Sequence, residues 1–76
     1  MRIFIIYFEF ADNQTTIVGA YTTESNAWTA FCEAAKFYFK EDGALLVDKS
    51  LYSAPWGYWI KQNNETLYCE TITINE

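Results

Sequence analysis

Residues of the β-branched and aromatic types dominate two stretches near the start of the chain, 2–10 and 15–22. Such residues favour the extended strand conformation. The four residues between the stretches, 11–14, are small or polar and favour a turn. The pattern therefore predicts an N-terminal β-hairpin.

The next segment has the signals of a helix over residues 24–41. Thr23 or Ser25 can cap its start by accepting a backbone N–H, and Gly43 suits a left-handed stop after its end. On a helical wheel the polar residues fall in one arc about 100 degrees wide, and apolar residues fill the rest. The polar arc contains Ser25, Asn26, Thr29, Glu33, Lys36 and Lys40. The apolar arc contains Ala27, Trp28, Ala30, Phe31, Cys32, Ala34, Ala35, Phe37, Tyr38 and Phe39.

The last part of the chain returns to strand-like patterns. Residues 44–51 form one such run, and the four residues that follow, 52–55, interrupt it. Two further strands, 57–62 and 65–74, are predicted to pair across the turn at Asn63-Asn64.

These elements combine into one architecture. The order ββαβββ predicts an α+β fold with a small antiparallel or mixed sheet of four to five strands and one helix packed on one face. No Pro-, Ser- or Gly-rich linker divides residues 1–76, and this length suits a single domain.

The first strand is apolar on both faces, although one helix can shield only one face. We assign Phe4, Ile6, Phe8 and Phe10 to the helix side and Ile3, Ile5 and Tyr7 to the opposite side. An exposed apolar face of this kind marks association, and we expect either a protein partner or a homodimer. The alternative is a strongly curled sheet that covers its own second face.

Charge narrows the class of partner. Ten acidic residues against five basic ones give a net charge of -5, which opposes binding to nucleic acid or to anionic lipid. A basic protein surface is the complementary partner. An alternative is that the carboxylates mimic nucleic acid and occupy a basic groove.

The residues offer little for catalysis. The chain has no histidine, so the commonest general base and metal ligand are both missing, and its three glycines are scattered rather than grouped in a nucleotide-binding loop. Glu9 and Glu70 interrupt apolar strand patterns and are the candidates for a carboxylate-dependent enzyme, which is the alternative from another class. Cys32 and Cys69 are too few for a secreted disulfide framework and favour a reducing, cytoplasmic setting. We expect no catalytic residue, metal or cofactor.

The most distinctive segment places Trp56, Tyr58 and Trp59 within four residues. Aromatic residues of this density can anchor a protein interface or stack on sugars or unstacked bases, and the alternative is packing in the core and at the edge of a short strand. The predicted contact set therefore adds these three residues to Ile3, Ile5 and Tyr7. In size and composition the chain resembles short, acidic, aromatic-rich inhibitors encoded by phages and mobile elements, which implies docking on a host protein. The resulting hypothesis is a non-enzymatic protein-binding module.

Overall fold

A computed structural model describes residues 1–39, 53–54 and 57–74 of the chain. Within these residues the element order is ββαβββ with one helix, which confirms the predicted α+β class. The elements are β1 (Arg2–Glu9), β2 (Thr15–Tyr21), α1 (Glu24–Phe39), β3 (Ser53–Ala54), β4 (Gly57–Gln62) and β5 (Glu65–Thr73). The described strands form one sheet in the order β2-β1-β5-β4-β3, and every pairing is antiparallel.

Some predictions fall at or beyond the limits of the described residues. The predicted strand over 44–51 and the helix end near Gly43 lie outside them. Ser53 and Ala54, which the sequence pattern assigned to a break, form the two-residue strand β3 instead and pair with β4. Pairing with a neighbouring strand outweighs the weak local preference of so short a segment.

Both hairpins end in turns that their asparagines make favourable. Between β1 and β2, the N–H of Phe10 donates to the carbonyl of Gln14 at 2.7 Å, and Asn13 lies in the left-handed region at φ 70°. Between β4 and β5, Asn63 and Asn64 have φ values of 53° and 65°. Two consecutive left-handed residues form the tight turn whose twist matches paired strands, and asparagine tolerates this conformation.

The start of α1 selects one of the two predicted caps. The Thr23 hydroxyl accepts a hydrogen bond from the N–H of Asn26 at 3.3 Å, and its carbonyl accepts one from Ala27 at 3.1 Å. Thr23 therefore caps the helix, whereas Ser25 lies inside the first turn, where its carbonyl accepts from the Thr29 hydroxyl.

The core lies between α1 and one face of the sheet, which we call the inner face. Alternate residues of β1 point into it as predicted, since Phe4, Ile6 and Phe8 are all buried. The strands β4 and β5 contribute Tyr58, Ile60, Leu67 and Cys69, and α1 contributes Ala27, Phe31, Ala34, Ala35 and Phe39. Stacking of Phe8 on Tyr38, with ring centroids 3.9 Å apart, joins sheet and helix.

Phe10, the last residue assigned to the helix side, contacts the core but remains partly exposed. Phe10 follows the last residue of β1 and is 37% exposed, although its ring edge packs on Phe8 at 4.8 Å. The contact with Phe8 agrees with the helix-side assignment, and Phe10 is exposed because it lies beyond the end of β1, where the turn to β2 begins.

Candidate binding face of the sheet

The face of the sheet opposite α1, which we call the outer face, carries a row of three aromatic residues. Register places Tyr7 on β1 opposite Tyr68 on β5, and Tyr68 opposite Trp59 on β4. The Tyr7 and Tyr68 rings are stacked with centroids 5.0 Å apart and planes inclined by 22°. Side chains directly opposite each other on one face interact most strongly, so the register itself builds this row.

Apolar residues lie beside the aromatic row, and one of them, Ile17, continues the row onto the edge strand β2. Ile3 and Ile5 are half-buried on β1, and Ile17 lies opposite Tyr7 on β2 with 66% of its surface exposed. Trp59 is 42% exposed. The prediction that Ile3, Ile5 and Tyr7 face away from the helix agrees with this alternation, because Phe4, Ile6 and Phe8 fill the inner side.

An open groove lies on the outer face beside the aromatic row. Its volume is about 420 Å³, and the described residues that line it are Trp59, Thr66, Tyr68 and Glu70. The position opposite Glu70 on β4 is Gly57, which places no side chain beside the carboxylate. Gly57 has φ 151°, and a Cβ atom there would collide with the carbonyl oxygen of Cys69, so only glycine fits this close approach.

The outer face has an acidic character around Tyr68. Burial raises the pKa of the Tyr68 phenol, and the neighbouring Glu9, Tyr7 and Glu70 raise it further. Negative charge disfavours a phenolate, so the direction of this shift agrees with carboxylates on both sides of the ring. Lys61 lies in the next row of the sheet, opposite Thr66, with Glu9 beyond it.

The aromatic side chains of β4 do not lie on one face of the sheet. Trp59 lies on the outer face, whereas Tyr58 is only 4% exposed and packs in the core, edge-on against Trp28 at 5.2 Å and Phe31 at 4.9 Å. Consecutive strand residues point to opposite faces, so neighbours in sequence are separated in space. Trp56 lies outside the described residues. The candidate surface therefore keeps Trp59 and loses Tyr58.

Sequence reasoning missed the most central residue of this surface. Tyr68 was not singled out, although Thr66, Tyr68, Glu70 and Ile72 alternate along β5 with the buried Leu67 and Cys69. This alternation was the available signal. It did not indicate which strands would flank β5, and only that pairing brings Tyr68 between Tyr7 and Trp59.

The two cysteines are free thiols rather than a disulfide. Burial raises the pKa of both, with Lys36 opposing the rise at Cys32 and Tyr58 opposing it at Cys69. A raised pKa keeps a thiol protonated, and a protonated thiol is a poor nucleophile. Neither cysteine lines the groove.

The two candidate carboxylates occupy different positions relative to the groove. Glu70 lines it, whereas Glu9 does not. Within residues 1–39, 53–54 and 57–74, no three His, Cys, Asp or Glu side chains come together as a metal site would require. In the same part of the chain, α1 is neither long nor apolar enough to cross a bilayer.

Fold and surface together define a small α+β protein with one helix-covered face and one aromatic, acidic face. Comparison of the chain with family models, curated proteins and solved structures finds no match.

Proposed function

We propose that this chain is a small acidic protein-binding module, without catalytic chemistry of its own, that docks through the outer face of its sheet. The observation that carries the proposal is the row of Tyr7, Tyr68 and Trp59, which lies on the face of the sheet opposite α1 and includes the exposed ring of Trp59. Tyrosine and tryptophan supply large contact areas with few rotatable bonds, and both are enriched among interface residues that dominate binding energy.

The composition of the face supports docking rather than simple solvent contact. Its centre is aromatic and aliphatic, while Glu9, Glu70 and Lys61 lie around the aromatic row. An apolar centre with a polar rim is the usual organisation of a protein interface. Ile17 and Trp59 retain 66% and 42% of their surface in contact with solvent, which a partner would remove.

Charge supports a basic partner. The net charge of -5 accelerates encounter with a positively charged protein surface and slows encounter with an acidic one. Occupation of such a surface on a host protein would make the chain an inhibitor, in the manner of the short acidic proteins that it resembles in size. A second copy of the chain has the same charge and is the less favoured occupant of this face.

The test uses two aromatic residues that lie on different faces. Trp59 is 42% exposed on the outer face, and Phe37 is 76% exposed on α1. Immobilised wild-type protein, Trp59→Ala and Phe37→Ala are exposed to lysate of the native host, and retained proteins are compared by mass spectrometry. Circular dichroism confirms that each variant is folded.

We expect a partner that wild type and Phe37→Ala retain and Trp59→Ala loses. Truncation of a central tryptophan typically costs at least about 2 kcal/mol of binding free energy, or roughly thirtyfold in affinity. Equal retention by all three proteins, or loss only with Phe37→Ala, contradicts the outer face as the docking surface. Sedimentation equilibrium tests the homodimer, and a Trp59-dependent dimer would identify the second copy as the occupant.

A further inference from the structure

The groove beside Trp59 combines an aromatic wall with a carboxylate. Trp59 and Tyr68 supply the rings and Glu70 supplies the charge, and all three line the same open space of about 420 Å³. Gly57 adds no side chain between Glu70 and β4. The faces of indole and phenol rings attract cations through their quadrupoles, and a nearby carboxylate adds a directional charge-assisted hydrogen bond.

The charges near the groove are unbalanced. In the described strands, the row of Glu70 contains Ile5 and Gly57, and the row of Tyr68 contains Tyr7 and Trp59, so neither row holds a basic residue. Thr66, which also lines the groove, shares its row with Lys61 and Glu9, whose opposite charges offset each other and leave the charge of Glu70 unbalanced. A ligand that complements the groove therefore brings positive charge with it.

The shape of the groove selects among cations. Its rings lie in one row across the sheet rather than around a closed cage, and each indole or phenol ring is itself a planar surface. A planar guanidinium can stack on such a surface while it donates two parallel hydrogen bonds to a carboxylate, whereas an ammonium is a compact point charge that does neither. The volume of the groove falls in the range of ligand-binding sites and is large enough for an arginine side chain.

We propose that this groove binds an arginine side chain from a basic segment of the partner protein, with the guanidinium stacked on Trp59 and paired with Glu70. The inference rests on the proposed protein-binding function and specifies the residue that the partner inserts. Tyr68 also lines the site, and its ring is stacked on that of Tyr7.

The test is a calorimetric or NMR titration of the full chain with two blocked peptides, hexa-arginine and hexalysine. Both carry the same charge, so a difference between them reports on guanidinium geometry rather than on net attraction. The informative variants are Glu70→Gln, which keeps shape and removes charge, and Trp59→Leu, which removes the indole. Glu33→Gln is the matched control, because Glu33 is an exposed carboxylate on α1.

We expect hexa-arginine to bind at least about threefold more tightly than hexalysine, since stacking and bidentate pairing favour the guanidinium. Glu70→Gln should weaken hexa-arginine binding about tenfold and Trp59→Leu about fivefold. Glu33→Gln should change it by less than about twofold because exposed charges are screened. The indole N–H resonance of Trp59 should shift on binding in the wild-type protein.

Two results overturn the arginine site. The first is that Glu70→Gln lowers the affinity for hexa-arginine no more than Glu33→Gln does. The second is that the wild-type protein binds the two peptides with equal affinity. Rejection of the arginine site can be distinguished from rejection of the docking face by the behaviour of the host partner. A host partner that Trp59→Ala loses but Glu70→Gln retains in full would keep the docking face and reject arginine as the inserted residue.

Discussion

Replacing Tyr58 by phenylalanine removes one buried oxygen and leaves the packed ring in place. The side chain is 4% exposed, and its hydroxyl has no hydrogen-bond partner in the described part of the chain. Burial, followed by the neighbouring Cys69 thiol, raises the pKa of this phenol well above its usual range. The thiol is a weak partner that does not meet hydrogen-bond geometry, so the hydroxyl is desolvated without adequate compensation.

The magnitude follows from the cost of an unsatisfied polar group. In protein mutational data, a buried hydroxyl without a partner costs about 1–3 kcal/mol. The edge-on contacts of the ring with Trp28 and Phe31 do not involve the oxygen and survive the change to phenylalanine. After allowance for the contacts that the oxygen itself makes, we expect Tyr58→Phe to raise the free energy of unfolding by about 1 kcal/mol. For a domain of this size that corresponds to roughly 4–8 °C in Tm.

Urea unfolding followed by far-UV circular dichroism measures this change without dependence on tyrosine fluorescence. Tyr7→Phe is the matched control, because Tyr7 is half-buried on the outer face and its loss of a hydroxyl should alter stability by less than about 0.5 kcal/mol. A decrease of more than about 0.5 kcal/mol for Tyr58→Phe would refute the reasoning, since it would mean that the hydroxyl is well bonded in the folded state.

Two other predictions concern the same strands. Gly57→Ala should lower the free energy of unfolding by at least about 2 kcal/mol, because the backbone conformation and the Cys69 carbonyl both exclude a Cβ. Gly19→Ala should cost less, since its Cβ meets the movable side chain of Tyr21. Equal losses of stability in urea unfolding would contradict this account. Because burial raises the pKa of Cys69 above that of an unfolded thiol, stability should fall as pH rises from about 8.5, at a slope of up to about 1.4 kcal/mol per pH unit for this thiol. Cys69→Ala should reduce the slope between about pH 8.5 and 9.5 to the part that Cys32 contributes, and an unchanged slope would contradict a role of Cys69.

The local parts of the fold could be read from the sequence because they depend on neighbouring residues. Alternation in β1 predicted that Phe4, Ile6 and Phe8 lie in the core, and Asn63-Asn64 predicted the turn between β4 and β5; the structure confirms both. Phe10 packs on Phe8, as its assignment to the helix side implies, but it is more exposed than the other three residues because β1 ends at Glu9.

The candidate site was harder to predict because it depends on which strands become neighbours. Trp59 was identified from its aromatic context, yet the same context suggested Tyr58, which strand periodicity turns into the core. Tyr68 joins Trp59 only through the pairing of β4 with β5, and Tyr7 joins them only through the pairing of β5 with β1. Composition gives the aromatic residues of the site but not this register.

The pairing of β1 with β5 also governs when the fold can form. These strands meet along their whole length, from Arg2 opposite Thr73 to Glu9 opposite Thr66, and the N–H of Ile74 donates to the carbonyl of Met1 at 2.7 Å. During synthesis β1 leaves the ribosome before β5, so the central pair of strands cannot form until β5 has been synthesised. Contacts between such distant segments carry a large loop-closure cost and slow folding. A chain truncated before β5 would therefore leave β1 unpaired on one side and Phe4, Ile6 and Phe8 without part of their core. Chaperones and proteases recognise such incompletely folded chains.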